Sequence, residues 1–334
     1  MVTMLDVAKK AGVSKSTVSR VLNGKNLVRP EVATRVFQAI EETGYRPNLL
    51  AQQFATKKTN FVGFVITNSL FNGPYFSSLV YHAALFSEQS GHQLVMVDGK
   101  RCAEDEKNAI NFLLDMKCAG IIVYPHYLSE QELTEIIDST STPIIVLNRD
   151  LVSHPDQSIV TNHYQSAYLM MEHILEQGHR DIAFIRGATG SLTDQQRFAA
   201  YQDALSKHDL EFASQRVVSG NWTLETGYRA AKELVQRGVD FSAVVAGNDD
   251  MALGAMKAFS ELGFNLPQEI SIAGFDNSEI GGFFTPSLTT VSIPLKEMIH
   301  KAVLKIIGKP HEAELINICG TLVQRDSVQS HSAG

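Results

Sequence analysis

Three carboxylates, Asp249, Asp250 and Asp276, each fall just beyond a predicted buried strand. Two acids facing one sugar are what glycoside hydrolysis requires. The same residue types also hold sugars without reacting. Carboxylates, amides and guanidinium groups pair with hydroxyls, and a flat ring covers the apolar face of a pyranose. Such residues recur at predicted strand ends: Asn148 and Arg149 after Leu147, Asn248 after Ala246, and Asp276 and Asn277 after Ala273. Trp222, the only tryptophan, follows another strand, and Arg197 stands near the start of a helix. Asp249 is expected to cap the helix that begins near Met251. The eleven histidines show no metal-ligating spacing, Gly187-Ala-Thr-Gly190 is too loose for a nucleotide loop, and there is no Walker sequence. We therefore expect a binding cleft, with no enzyme activity, no metal and no cofactor.

A second chemistry lies at the N-terminus. Leu5 to Gly24 reads as two short helices around a tight turn. Leu5, Val7, Ala8 and Ala11 are apolar or small at helical spacing, Gly12 ends the first helix, and Ser14 can cap the second. Val13 can plug the gap between the helices. Val18, Val21 and Leu22 face inward, which leaves Lys15, Ser16, Thr17, Ser19 and Arg20 on or near the outer face. Asn23-Gly24 is a stop signal. A short helix with small polar and basic residues at its N-terminal end suits entry into a DNA major groove. Charge agrees. Residues 1–60 hold ten Lys/Arg against four Asp/Glu, whereas the whole chain carries a net −7. A basic head on an acidic body draws nucleic acid to the head.

These groups need a scaffold. Pro30 to Thr43 reads as a third helix, with Val32, Val36, Phe37 and Ile40 on one face, closing a head around Leu5, Val18 and Val21. Gly44-Tyr-Arg-Pro47 breaks it, and Asn48 can cap a short segment, Leu49 to Thr56, too short for a stable helix alone. From Phe61 onward the pattern alternates strands and helices. Buried strands are expected at 61–67, 94–97, 120–124 and 144–147, and a second series at 182–185, 217–218, 243–246 and 270–273. The expected fold is an all-α helix-turn-helix head plus an α/β body of two doubly wound parallel sheets. The tail, with apolar runs at 288–293 and 315–318 around a helix, continues neither series simply. Cys102, Cys118 and Cys319 have neither metal nor disulfide spacing, and no apolar run is long enough to span a membrane or lead export. A cytoplasmic protein with no membrane partner is expected.

Asp6-Val-Ala-Lys-Lys-Ala-Gly-Val-Ser-Lys-Ser-Thr-Val-Ser-Arg-Val-Leu-Asn23 resembles the signature of the lactose/galactose repressor family of bacterial transcriptional regulators. The resemblance continues through Gly44-Tyr-Arg-Pro-Asn48 and reaches Arg325, nearly the whole chain. It implies a head over residues 1–46 and a hinge helix and linker over 47–60. It further implies an N-terminal subdomain of 61–161 with 292–322 and a C-terminal subdomain of 162–291 with 323–330, joined by crossings near residues 161, 291 and 323. The implied body is of the periplasmic sugar-binding-protein type. Phe54 stands where the family usually has a leucine that wedges into the minor groove. Asn23, Asn48 and Lys57 join the implied DNA contacts. The resemblance places effector contacts at Asn148, Arg197, Trp222, Asn248 and Asp276, and at Asn68, Tyr75 and Phe76 on the opposite wall.

The implied function is a repressor of a sugar-utilisation operon, released by a sugar inducer and bound as a homodimer to a pseudo-palindromic double-stranded operator. No leucine heptad follows Ser327, so a dimer rather than a coiled-coil tetramer is expected. A purine corepressor, stacked on Tyr75 and Phe76, is the alternative ligand. A transport binding protein would share the body, but it would carry an export signal and no head.

Overall fold

The computed structural model describes residues 2–22, 28–46, 60–67, 73–308 and 317–331. Two compact units result, residues 1–60 and 61–334.

The first unit is a three-helix head. Helix α1 spans Met4–Ala11, α2 Lys15–Leu22 and α3 Pro30–Thr43. Thr3 and Asp6 cap α1 reciprocally, the Thr3 amide and hydroxyl both donating to Asp6 Oδ2 at 2.9 and 2.7 Å. Gly12 then turns the chain with φ +65°, a left-handed conformation that glycine adopts without steric cost. Ser14 Oγ accepts the Thr17 amide at 3.1 Å and so caps α2. The core comprises Val7, Ala8, Ala11, Val18, Val21, Val36 and Ala39, with Val13 packed against it. Two expected core residues are not there. Leu5 is 50% exposed and Phe37 55% exposed. Val36 and Ala39, three apart on α3, take the inward stripe and turn the adjacent Phe37 outward. Met4 packs at the core in place of Leu5.

The second unit contains two six-stranded sheets. The first holds β1 (Phe61–Ile66), β2 (Gln93–Asp98), β3 (Gly120–Tyr124), β4 (Ile144–Leu147), β5 (Ser158–Asn162) and a late β11 (Asn317–Cys319). The second holds β6 (Ile182–Arg186), β7 (Val217–Ser219), β8 (Ala243–Ala246), β9 (Ser271–Phe275), β10 (Thr289–Ser292) and β12 (Thr321–Val323). Their orders are β2-β1-β3-β4-β5-β11 and β7-β6-β8-β9-β10-β12, the same pattern twice. Pairing is parallel except at β12, which runs antiparallel to β10. Near-continuous burial of β1, β3, β4, β8 and β9 explains their unbroken apolar sequences: helices cover both faces.

The helices concerned below are α4 (Gly73–Gln89), α5 (Ala103–Asp115), α6 (Glu130–Asp138), α7 (His163–Glu176), α8 (Leu192–Lys207), α9 (Leu224–Gln236), α10 (Asp249–Glu261), α11 (Glu279–Phe283) and α12 (Leu295–Ile306). The chain leaves the first sheet after β5, returns after β10 and leaves again between β11 and β12. The last crossing therefore lies at Gly320, not near residue 323. Thr321–Val323 is already hydrogen-bonded to β10, and Gly320 fits because an added Cβ would strike the Val291 side chain. Strands β5, polar at both ends, and β12, three residues long and polar at one, carry no apolar run that would mark them in the sequence.

One buried carboxylate braces the loop beyond β3. Glu106, fully buried on α5, accepts the backbone amides of His126, Tyr127 and Leu128 at 2.7, 3.1 and 2.8 Å. Its removal orphans three backbone donors, that of Leu128 fully buried. Glu106→Ala is expected to lower unfolding free energy by about 3 kcal/mol in urea denaturation, the range for bonds to a charged group. A loss below about 1 kcal/mol would mean that water replaces the carboxylate.

Candidate functional site

Both sheets present their carboxyl ends to one cleft, the position where open α/β sheets hold ligands. From the first sheet come Tyr124, the last residue of β3, and Asn148, the residue after β4. Tyr75 joins them from the first turn of α4. Asn148 Nδ2 donates to the Tyr124 hydroxyl at 2.8 Å and to the Tyr75 hydroxyl at 3.4 Å, and the two phenols lie 3.1 Å apart. Their rings meet edge to face at 84°. Burial pushes both phenols above their ordinary pKa.

The second sheet supplies the charges. Arg197 is on the second turn of α8 and only 2% exposed. It donates to the Gly247 carbonyl, lies 3.4 Å from Asp276 Oδ1 and 3.5 Å from His163 Nδ1, and sits 4.3 Å over the Phe275 ring. Burial raises Asp276 to about 6, against the pull of Arg197. Burial, then the Arg197 cation, holds His163 well below its usual range and therefore neutral. The Arg197 guanidinium is 6.0 Å from the Trp222 ring. That ring lies against Gly187 and Gly247, where an added Cβ would come within 2.1 and 3.2 Å of it.

The two walls face each other. The Tyr75 and Tyr124 phenols feel both Asp276 and Arg197. A Cβ on Gly73, at the start of α4, would be 2.5 Å from Asp250 Oδ2.

Of the expected contacts, Tyr75, Asn148, Arg197, Trp222 and Asp276 converge on this cleft. Phe76 is half-buried and packs against the central core. Asn248 is buried, with both ends of its amide engaged. Its Oδ1 accepts the Met251 amide at 3.0 Å and its Nδ2 donates to the Trp222 carbonyl at 3.0 Å. Asn248 is thus the helix cap, and the expectation that Asp249 caps is wrong. Helix α10 begins two residues before Met251, which turns Asp249 into the interior. There it accepts the Thr290 hydroxyl and the Ser278 amide, each at 2.7 Å, and burial raises it to about 7. Asn68 lies outside the described residues. Asp250 was legible as a carboxylate beyond a buried strand but was not placed among the contacts, whereas Tyr124, His163 and Phe275 were missed. A tyrosine closing an apolar strand was a usable signal for the first; the others have none in sequence.

Among the described residues, several buried polar atoms here have no hydrogen-bond partner: Asn148 Oδ1, His163 Nε2 and Arg197 Nε. Buried polar atoms are nearly always satisfied, so a cluster of exceptions points to a bound polar molecule. No group of three or more His, Cys, Asp or Glu among the described residues could hold a metal.

On the head, Lys15, Ser16 and Arg20 are exposed along α2, while Thr17 and Ser19 are half-buried. Asn23, Asn48, Phe54 and Lys57 lie outside the described residues.

A helix-turn-helix head and a two-lobed polar cleft define a ligand-responsive DNA-binding regulator. Residues 3–48 match the family model for bacterial regulatory proteins of the lacI family, and residues 171–328 match the periplasmic binding protein-like domain. The HTH-type transcriptional regulator AscG of Escherichia coli (strain K12) is 44% identical over 331 residues, 98% of each chain. The HTH-type transcriptional repressor PurR of Pectobacterium carotovorum subsp. carotovorum (strain PC1) is 31% identical, covering 98% of this chain and 97% of its own. A crystal structure of the lac repressor dimer bound to operator and the anti-inducer ONPF matches with a TM-score of 0.85 at 28% identity, over 98% of this chain and 99% of that one. The chain belongs to the lacI family of bacterial regulatory proteins. It is a helix-turn-helix transcriptional repressor with a metabolite-binding body, and not an enzyme.

Asp276 and Asp249 hold protons more tightly folded than unfolded. Their contribution to stability is present below the ordinary carboxylate range and is lost as pH rises through about 6 and about 7. Asp276→Asn should remove the lower part of that loss. The difference in melting temperature, variant minus wild type, is expected to grow from pH 4 to pH 6.5 in thermal melts. A constant difference would place the carboxyl in an ordinary environment.

Proposed function

We propose that the cleft binds a sugar and that this ligand, acting as an inducer, releases the repressor from its operator. The observation that carries the reading is the mixture of orphaned groups. A buried acceptor, Asn148 Oδ1, on one wall and a buried donor, Arg197 Nε, on the other flank the Arg197–Asp276 pair. A sugar hydroxyl donates and accepts at once, so a polyol satisfies both kinds. Trp222 adds a flat apolar surface.

A purine corepressor is the second reading, supported by the likeness to PurR. The edge-to-face setting of Tyr75 and Tyr124, with both hydroxyls turned toward Asn148, argues against it. That wall offers hydroxyls rather than a stacking face.

The domain division follows the same reading. Residues 1–46 are the head, 47–60 the hinge and linker, and the strand crossings near 162, 292 and 320 divide the body into its two effector-binding subdomains. The protein acts in the cytoplasm as a homodimer, with two heads on a pseudo-palindromic operator. Lys15, Ser16 and Arg20 read base edges, while Asn23 and Lys57 contribute to backbone or groove contacts and Phe54 to the wedge. Effector and operator affinities are then coupled reciprocally.

Two results are expected. Arg20→Ala weakens operator binding by roughly 1–3 kcal/mol in fluorescence anisotropy titrations; unchanged affinity takes Arg20 out of the base-reading set. In a thermal-shift screen of the full chain against common mono- and disaccharides and their phosphates, one sugar raises the melting temperature. Asp276→Ala abolishes that response and leaves operator affinity intact. A response only to purines would replace the sugar reading with the corepressor one.

A further inference from the structure

The carboxylate of Asp276 projects from a turn that should not hold its shape unaided. Asp276 has φ +104° and Asn277 φ +53°, two successive non-glycine residues in a region that L-residues disfavour. Such a turn persists only where its surroundings over-determine it. Here they do so through the Arg325 side chain on one side and strand β10 on the other. Arg325 Nη2 donates to Asn277 Oδ1 at 2.7 Å, and its Nη1 donates to the Leu288 carbonyl at 2.8 Å. Its own amide donates to Thr289 Oγ1 at 3.0 Å. Gly282 of α11 covers the guanidinium: a Cβ added there would lie 3.7 Å from Arg325 Nη2. Strand β10 holds the other side of the turn. The Asp276 amide donates to the Val291 carbonyl at 2.9 Å, the Asn277 amide to Thr290 Oγ1 at 3.2 Å, and Asn277 Nδ2 to Ser292 Oγ at 3.4 Å.

We infer that Arg325 and Asn277 are positioning residues for the effector site: Arg325 clamps the Asn277 amide and thereby fixes the strained turn that aims Asp276 at Arg197. Both clamping elements are crossing strands. Arg325 follows β12, entered directly from the first sheet at Gly320, and β10 leads back to that sheet. The direction of the effector carboxylate is therefore tied to the strands that any opening of the cleft must bend. This deepens the effector-site reading and rests on it.

The test uses the full chain and needs no effector, so failure of the sugar reading does not move it. Trp222 is the only tryptophan and lies 6.0 Å from the guanidinium that pairs with Asp276, so its emission reports the titration of that carboxylate. The other ionisable groups facing Asp276 are Arg197 itself, His163, Asp249 and Asp250, and, from the opposite wall, Tyr75 and Tyr124, whose phenols burial holds above their ordinary range; Asp276→Asn identifies which transition belongs to Asp276. Emission is followed from pH 4 to pH 8 in wild type, Asn277→Ala, Arg325→Gln, the double variant, and Gln324→Ala as an exposed neighbour.

The wild type is expected to show a transition that Asp276→Asn abolishes. Loosening the turn lets the carboxyl reach water, so Asn277→Ala and Arg325→Gln each lower that midpoint by about half a pH unit or more. The double variant shifts it no further than the larger single, as expected for two halves of one clamp. Gln324→Ala leaves it in place. Should Arg325→Gln not fold, Asn277→Gly decides, because glycine keeps the positive φ without strain but cannot accept from Arg325. A midpoint that stays or rises in the Asn277 variants, additive shifts, or a wild type without an Asp276 transition overturns the inference.

Discussion

A guanidinium nearly excluded from water governs the body of this protein. Burying a charge costs several kcal/mol unless partners replace the lost hydration. Arg197 finds them in the Gly247 carbonyl, the Asp276 carboxylate and the face of Phe275. The replacement is incomplete, because Nε has no partner among the described residues and the Asp276 contact is long at 3.4 Å. Burial raises Asp276 in spite of the cation, which is the signature of a pair held short of full compensation. Hydroxyls placed between such groups satisfy both members at once. Under the proposed function, ligand binding and electrostatic repair are one event, which would give the cleft affinity without any reacting group.

The fold concentrates these charges by repeating one topology. Each sheet has its first two strands reversed at one edge, so each has a switch point next to its leading strand. Tyr124 and Asn148 end strands of the first sheet, and Gly187, Trp222, Asn248 and Asp276 follow strands of the second. The two sets meet because the chain crosses three times between the sheets. One hydrophobic cluster runs through both, from Phe64 and Leu79 to Phe184 and Tyr201, and α12 lies within it through Met298, Ile299 and Ala302. Each sheet also has its own cluster against its outer helices, so under the proposed function the crossings are where the body would bend.

The alternation of apolar runs and helical patterns was sufficient to read two sheets, because strands buried on both faces are apolar throughout. β5 and β12 escaped that signal. Each lies beside a crossing, pairs on few residues and includes polar side chains such as Ser158, Asn162 and Thr321. In the head, spacing placed the turn and the cap correctly but not Leu5 and Phe37, since three short helices enclose few residues and leave apolar ones outside. At the cleft, residues following strands were legible from type and position. His163 and Phe275 were not. They reach the site by packing against Arg197, far from either in sequence, and no local pattern encodes that. Asn248 and Asp249 show the same limit: both are good cap residues, and only the helix start decides which one caps.

Backbone strain is the last trace of function, and it is invisible in the sequence. Seven non-glycine residues have positive φ among the described residues, and four of them, Asn148, Trp222, Asp276 and Asn277, stand at the cleft. Each such position costs on the order of 1–3 kcal/mol. Glycine would remove that cost, but it would also remove the amide that binds two phenols, the indole, the carboxylate and the residue clamped by Arg325. The strain at Trp222 is greatest in steric terms, for a bulky side chain rarely enters this region. Its carbonyl is fixed by Asn248 and its ring by the bare backbone of Gly187 and Gly247, so neither end can relax. Stability has been spent at the four places where a side chain leaves a strand end in a direction that ordinary backbone does not allow, and under the proposed function those are the directions that face the effector.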